Sequence, residues 1–372
     1  MYIHKHPEWP NLRYRADELL RYVSDIRLLQ GELLSKLSQL GFEVKNKALV
    51  EAMSLEIVKS NAIEGEMLDR DDVRSSIANR LGWSEGIKSS DRYVEGMVDM
   101  MMDATQNANQ ELTKDRLFSW HAAMFPTGYS GMYKIAVGSY RNNPEDPHMY
   151  VTSGSMKRPK IHFEAPTDDR IKGEMDQFLN WFNHEKTEPI IKSGIAHFWF
   201  VTIHPFDDGN GRIARAISEM QLSRSDGSDF RYFSMSDEIE KNKKGYYQIL
   251  EKTQKGDVDI TEWLKWYCEH VHKSLITSKE RLNHIILKSE FWIEHKEVAF
   301  NARQRQVINR LFNGFEGKLT NSKYAKLSKT SSDTALRDIN DLVDKGVLKR
   351  GAAGGRSSYY YLKKLGDKYE KD

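Results

Sequence analysis

The twelve residues from His204 to Arg215, HPFDDGNGRIAR, place one imidazole, two carboxylates, two glycines and two guanidiniums between two apolar helical patterns. Gly209 and Gly211 permit backbone conformations closed to other residues, so successive N–H groups can converge into an anion nest at the start of the following helix. Asn210 lies between them. The spacing sets Arg212 and Arg215 in the first turn of that helix and on one face, where the macrodipole opposes positive charge unless an anion is bound. A polyphosphate satisfies that arrangement. Asp208 beside such a nest is repulsive on its own, and a Mg²⁺ ion bridging two phosphates removes the conflict. His204 is the one group in the stretch that takes a proton near neutral pH, which makes it the candidate general base for a hydroxyl nucleophile. The reaction class is transfer from a nucleotide. A rival enzymatic reading takes His197 and His204 with Asp207 or Asp208 as a metal-dependent phosphohydrolase site, but leaves Arg212 and Arg215 unused.

The elements that must hold this loop are legible as periodicity. Apolar residues from Leu19 to Leu40 recur at helical spacing and stop at Gly41; further helical patterns run from Lys47 to Gly65 and from Asp71 to Gly82. Residues 1–90 are read as a helical N-terminal domain. Tyr93, Met97, Met100 and Met101 form one apolar stripe, which core packing explains. Between Pro126 and Pro166 the chain is dense in Gly, Pro, Asn and Ser, and the runs Met149–Thr152 and Lys160–Phe163 flank Ser153-Gly154-Ser155, the pattern of a β-hairpin. Helical pattern returns over 168–183, 189–203, 213–222, 242–251 and 258–280. The expected fold is mainly α, with residues 91–285 as the core that carries the loop.

The stretch from His204 to Arg215 resembles the signature of the Fic family, H-P-F-x-[D/E]-G-N-G-R-x-x-R, at every defined position. The resemblance implies a helical core with a β-hairpin flap, and transfer of AMP from ATP to a Ser, Thr or Tyr hydroxyl of a target protein. It implies that His204 deprotonates that hydroxyl, that Asp208 coordinates Mg²⁺, and that Gly209, Asn210 and Gly211 cradle the phosphates. Arg212 and Arg215 would contact the β/γ end, Phe206 would anchor the loop, and Asp207 is carried as a further phosphate-side candidate. Ser60-Asn61-Ala62-Ile63-Glu64-Gly65 is similar to the family's inhibitory signature, [S/T]-x-x-x-E-[G/N]. Ser60, Glu64 and Gly65 are therefore inhibitory candidates, with Glu64 pairing with Arg215 in the space of the γ-phosphate. In some relatives that glutamate positions water for removal of AMP, so the reverse reaction is a second expectation. The hairpin over about residues 150–163 matches the flap that pairs with a protein substrate, and Asn242 and Tyr246 fall where relatives contact adenine; plain core is the alternative for Tyr246.

The whole chain has 372 residues, enough for two or three domains, with 56 Lys plus Arg against 54 Asp plus Glu. The total of +2 hides an asymmetry. Residues 301–372 hold sixteen basic against eight acidic residues, a surplus of +8, so residues 1–300 carry −6. Helical runs at 307–312, 324–327 and 331–345 are followed by two β-like runs around Gly351–Gly355, a pattern that resembles a small α+β winged helix-turn-helix domain over 300–365. Its third helix would present Ser332, Thr334 and Arg337 to a major groove, with Arg350 and Arg356 on phosphates. Asp333, Asp338, Asp341 and Asp344 on the same helix fit DNA poorly, which keeps a protein partner open for this region and a nucleotide-sensing DNA-binding regulator as the non-enzymatic reading. The single cysteine, Cys268, excludes an internal disulfide framework and is read as a structural thiol. The first residues lack a secretory apolar core and the run Ile195–Phe206 is too short and too polar to span a bilayer, so the expectation is a cytoplasmic protein without membrane contact. A homo-oligomer is left open.

Overall fold

Three helical patterns open the chain as α1 (Ala16–Ser38), α2 (Phe42–Glu64) and α3 (Arg70–Arg80). The computed structural model describes residues 1–83, 91–143, 145–155, 158–227, 231–312, 315, 317–351 and 358–363. Helices α4 (Arg92–Gln106) and α5 (Lys114–Met124) follow, then a two-residue pair β1 (Tyr129–Ser130) and β2 (Tyr133–Lys134), and the longer hairpin β3 (Tyr150–Ser155) and β4 (Arg158–Glu164). The remaining helices of this part are α6 (Asp168–His184), α7 (Pro189–Ile203), α8 (Asn210–Asp226), α9 (Met235–Lys241), α10 (Lys243–Gln254) and α11 (Thr261–Glu294). Asp69, Asp91 and Thr113 cap α3, α4 and α5 with side-chain oxygens, as short polar side chains do at helix starts.

Helix α7 decides where the loop lies. Every residue from Ile190 to Ile203 is buried, so the helix is interior rather than amphipathic. Pro189 occupies its first turn, where no N–H is needed, and the Glu188 carboxylate accepts from Ile191 N at 2.9 Å. Helix α8 returns alongside α7, α4 and α2 pack on α8, and α9 packs on α2. The Met stripe of α4 is core: Met97, Met100 and Met101 are at most 1 % exposed.

The chain divides into two compact units, Met1–Lys279 and Glu280–Asp372. The N-terminal helices and the loop-bearing core both fall within the first unit. The hairpin is longer than expected, because Ser153–Ser155 continue β3 instead of turning; its tip lies outside the described residues. In the second unit, α12 (Ala302–Phe312), α13 (Asn321–Ser328) and α14 (Ser332–Asp344) precede β5 (Leu348–Arg350) and β6 (Tyr360–Leu362), which pair antiparallel. Leu319 bridges to Tyr360, and Val307, Ile308, Tyr324, Ile339, Leu342 and Leu362 centre the core of this unit. Residues 352–357, Arg356 among them, lie outside the described residues.

Candidate active site

The loop starts on a backbone irregularity. His204 caps α7 in the left-handed region, φ 55° and ψ 58°, with its N–H on Phe200 O at 3.0 Å. That conformation is uncommon for a residue with a Cβ and is held here from several sides. Arg141, 4 % exposed, donates from Nε to His204 O at 2.8 Å and from its backbone N–H to Pro205 O at 2.9 Å, and is itself fixed by Asp168 and Pro166 O. Phe206 is fully buried and stacks on His121, with ring centroids 4.3 Å apart and 11° between the planes. Gly138 N donates to His121 Nδ1 at 3.2 Å, so the ring proton sits on Nε2 and is given to Asp208 O, also at 3.2 Å. The Asn210 amide closes the turn by accepting from Phe206 N at 2.9 Å and donating to Phe206 O at 2.7 Å. Its side chain thus braces the loop.

His204 Nδ1 lies 3.2 Å from Val201 O, and a carbonyl can only accept, so Nδ1 carries the proton and the Nε2 lone pair is free. Burial pushes this imidazole down to about 4, and it is neutral at physiological pH. A group so placed is a base before it is anything else.

The two carboxylates do different work. Asp207 Oδ2 accepts from Ala136 N at 2.8 Å and thereby ties the segment after β2 to the loop. Asp208 accepts from Gly209 N through Oδ1 and from the Ser130 hydroxyl through Oδ2, both at 2.6 Å, and lies 3.2 Å from Arg212 Nη2. Burial alone would raise its pKa; Arg212, Ser130 and the Gly209 N–H outweigh that and keep it charged. Among the described residues no group of three His, Cys, Asp or Glu converges as a metal cage. A lone charged carboxylate suits Mg²⁺, which is bound by one or two carboxylates and by the phosphates it bridges. The hydrolase set of two histidines and an aspartate is not assembled: His197 is fully buried, with Nδ1 3.0 Å from Ser218 Oγ and Nε2 2.8 Å from the Tyr246 hydroxyl.

Gly209, at φ 85°, is the N-cap of α8, and the helix begins at Asn210, three residues before the apolar pattern does. Arg212 is therefore in the first turn, but Arg215 is in the second. Gly211 does not use a left-handed conformation; its requirement is space, because a Cβ there would collide with Glu64 Oε1. The carboxylate of α2 lies directly over the start of α8.

Arg215 is 2 % exposed and is held by the last turn of α2: Nε donates to Ser60 Oγ and Nη2 to Ser60 O, both at 2.8 Å, and Nη2 to Glu64 Oε1 at 2.7 Å. Burial opposes its charge, and the Glu64 carboxylate restores it. Gly65, at φ 93°, ends α2 and turns the chain away. The second arginine is tied to the same helix. Arg212 donates to the Tyr93 hydroxyl, which donates to Asn61 Oδ1 at 2.8 Å, and its guanidinium lies 5.2 Å over the Phe125 ring. Arg212 Nε and Arg215 Nη1 are buried and have no hydrogen-bond partner among the described residues. Two guanidiniums with an unsatisfied N–H each, at a helix start, leave room in the bonding scheme for an anion. Tyr93→Phe removes the bridge and strands the Asn61 carbonyl; it is expected to cost about 1–2 kcal/mol, read as a lower denaturation midpoint at unchanged m-value. A midpoint equal to the parent's would show the hydroxyl to be idle.

Tyr246 is 1 % exposed with its hydroxyl on His197, so the core alternative describes its position. Its neighbour Tyr247 faces the site, with its hydroxyl 3.3 Å from Ile63 O and 3.5 Å from Glu64 Oε2. Asn242 is exposed between α9 and α10, 3.4 Å from His270 Nε2. The base of the hairpin is fixed through Phe163, buried against Tyr2, and through His162 Nδ1, 2.6 Å from Glu251 Oε2 on α10.

Residues 111–222 match the Fic/DOC family model, and residues 2–83 match a domain of unknown function, DUF4172. The protein adenylyltransferase fic-1 of Caenorhabditis elegans is 31% identical over 81 residues, which cover 20% of this chain and 16% of that protein. The protein adenylyltransferase Fic of Nematostella vectensis is 22% identical over 64% of this chain and 54% of its own length. The chain thus spans about half or less of these relatives. A crystal structure of a Fic family protein from Desulfovibrio desulfuricans G20 shares the fold at a TM-score of 0.51, with 18% identity over 92% of this chain and 95% of that one.

Proposed function

This chain is a Fic family protein, and on that premise we propose that it is a protein adenylyltransferase, moving AMP from ATP to a Ser, Thr or Tyr hydroxyl of a protein, and that Glu64 restrains it. The observation that carries this reading is the pairing of a free His204 Nε2 lone pair with an anion site at the start of α8 that already holds the Glu64 carboxylate. In the reaction the target oxygen bonds to the α-phosphorus, the bond from that phosphorus to the α–β bridging oxygen breaks, and pyrophosphate leaves. The hydroxyl proton passes to His204 Nε2. The N–H groups from Gly209 to Gly211 take the phosphates, and Arg212 and Arg215 neutralise their outer charge. Asp208 would hold Mg²⁺, whose contribution is to neutralise charge on the phosphate oxygens. The hairpin would receive the target as an added strand, and Glu64 could equally orient water for the reverse reaction. Among the described residues no helix is long and apolar enough to cross a membrane; a cytoplasmic setting for the target is part of the proposal.

The test is the position of the label. With the restraint removed by Glu64→Gly, ATP labelled in the α-phosphate is expected to mark protein in the presence of Mg²⁺, whereas ATP labelled in the γ-phosphate leaves protein unmarked. Transfer of the γ-label, or of neither, would refute the reading. Because the nest addresses phosphate more than the base, UTP labelled in the α-phosphate belongs in the same comparison; preference for it would change the donor and keep the reaction class.

A further inference from the structure

The second unit has a surface that the transfer chemistry does not use. Helices α13 and α14 are joined by three residues, Lys329 to Ser331, with Lys329 in the left-handed region at φ 50° and Ser331 capping α14. Asn321 Nδ2 donates to Ser332 Oγ at 2.7 Å and to Ser332 O at 3.1 Å, which fixes the start of α13 against the start of α14. Two helices joined by so short a turn, followed by a β-ribbon, are the arrangement in which the second helix enters a DNA groove.

The objection to DNA was four aspartates on α14, and the placement of two of them, Asp338 and Asp341, removes half of it. Asp338 is 6 % exposed and points inward: Arg303 donates to it at 2.7 and 3.0 Å and Asn301 at 2.9 Å. Asp341 is engaged by Gln304 at 2.6 Å and by Lys345. Asp333 sits in the first turn, where a helix start favours negative charge, and Asp344 closes the far end. The outer face between them carries Leu336, Arg337 and Asn340, all exposed. Lys326 and Lys329 on α13 and its turn are exposed too, and neither they nor Arg337 has an ion pair among the described residues. This is the end of the chain where the +8 surplus lies.

We propose that the outer face of α14 docks in the major groove of duplex DNA. Arg337 and Asn340 reach base edges, for which Arg suits guanine and Asn suits adenine, while Lys326 and Lys329 meet phosphates. Charge complementarity to this occupant rests on three exposed cations unpaired among the described residues, Lys326, Lys329 and Arg337, against two exposed aspartates at the ends of the face, Asp333 and Asp344, and the length from Ser332 to Asp344 fits one groove crossing.

The experiment uses the full chain and a fluorescent random duplex of roughly 25 base pairs, read by anisotropy against NaCl. Binding is expected at low salt and is expected to weaken as salt rises, with a logarithmic slope of about −2 to −4 for a few phosphate contacts. Lys326→Glu with Lys329→Glu should reduce affinity by at least about tenfold and flatten the slope by about 2, at an unchanged melting temperature. Arg337→Ala should reduce discrimination among sequences selected from a random pool. Absence of binding at low salt overturns the proposal, as does binding that charge reversal leaves intact; stable capture of a protein on this face in place of DNA would also overturn it.

Discussion

Glu64→Gly is expected to raise labelling of protein from α-labelled ATP, self-modification included, by about ten- to fiftyfold. A hydrogen bond to a charged partner contributes about 1.5–3 kcal/mol, which corresponds to roughly 10- to 150-fold in an equilibrium. The Glu64 side chain is 29% exposed, so the lower half of that range applies. Arg215 keeps its two bonds to Ser60 when Glu64 is lost, and is therefore left in place, with the Nη2 bond to Glu64 released for an incoming phosphate. Glycine also weakens the last turn of α2, and Glu64→Gln separates that effect from charge: it retains the helix and is expected to give a smaller rise. No increase with either variant, on the chain itself or on a lysate, would sink the restraint while leaving the transfer reading to its own test.

The second large effect is loss. In the Glu64→Gly background, His204→Ala is expected to lower the transfer rate by about 10²–10⁴-fold, the usual worth of a positioned base, with ATP affinity little changed because His204 makes no part of the nest. Its pH signature is specific. Burial holds the imidazole at about 4, so the free-base form prevails at every pH above that value and is lost only as pH falls through it. kcat/KM for the Glu64→Gly chain should therefore stay level from pH 7.5 to 5.5, where a histidine at the ordinary value of about 6.5 would already have lost about tenfold. An acidic limb centred near 6.5 would show that His204 is hydrated and charged in the working enzyme.

The loop was readable because its residues are adjacent in sequence, and adjacency carries chemistry. What it rests on was not. Ser130, His121, Arg141 and Tyr93 reach the loop from 63 to 119 residues away, and each is a common residue type in an ordinary setting. No spacing rule links them. Arg215 moved to the second turn because the Asn210 amide and the Gly209 cap start the helix before its apolar phase does. Asp338 could have been placed correctly from sequence: Ala335, Ile339 and Leu342 are buried, and a residue three after one and one before the next shares their face. Counting acids without their phase turned an internal anchor into an argument about a surface. Tyr246 and Tyr247 show the converse, since adjacent tyrosines on α10 point one to the core and one to the site, and only the packing of α2 decides which.

The placement of His204 as the cap of α7, with the first turn of α8 six residues later, has an electrostatic consequence for the reaction. A helix ends in unpaired carbonyls equivalent to about half a negative charge and begins with unpaired N–H groups equivalent to about half a positive one. In the proposed transfer, proton uptake by His204 would create an imidazolium at the carbonyl end of α7 while negative charge accumulates on phosphate at the amide end of α8. The charge separation of the transition state thus runs along a field that is already present in the folded chain. The two backbones need not reorient as it develops, so the part of the stabilisation that grows with the charge separation lowers the barrier without a reorganisation cost.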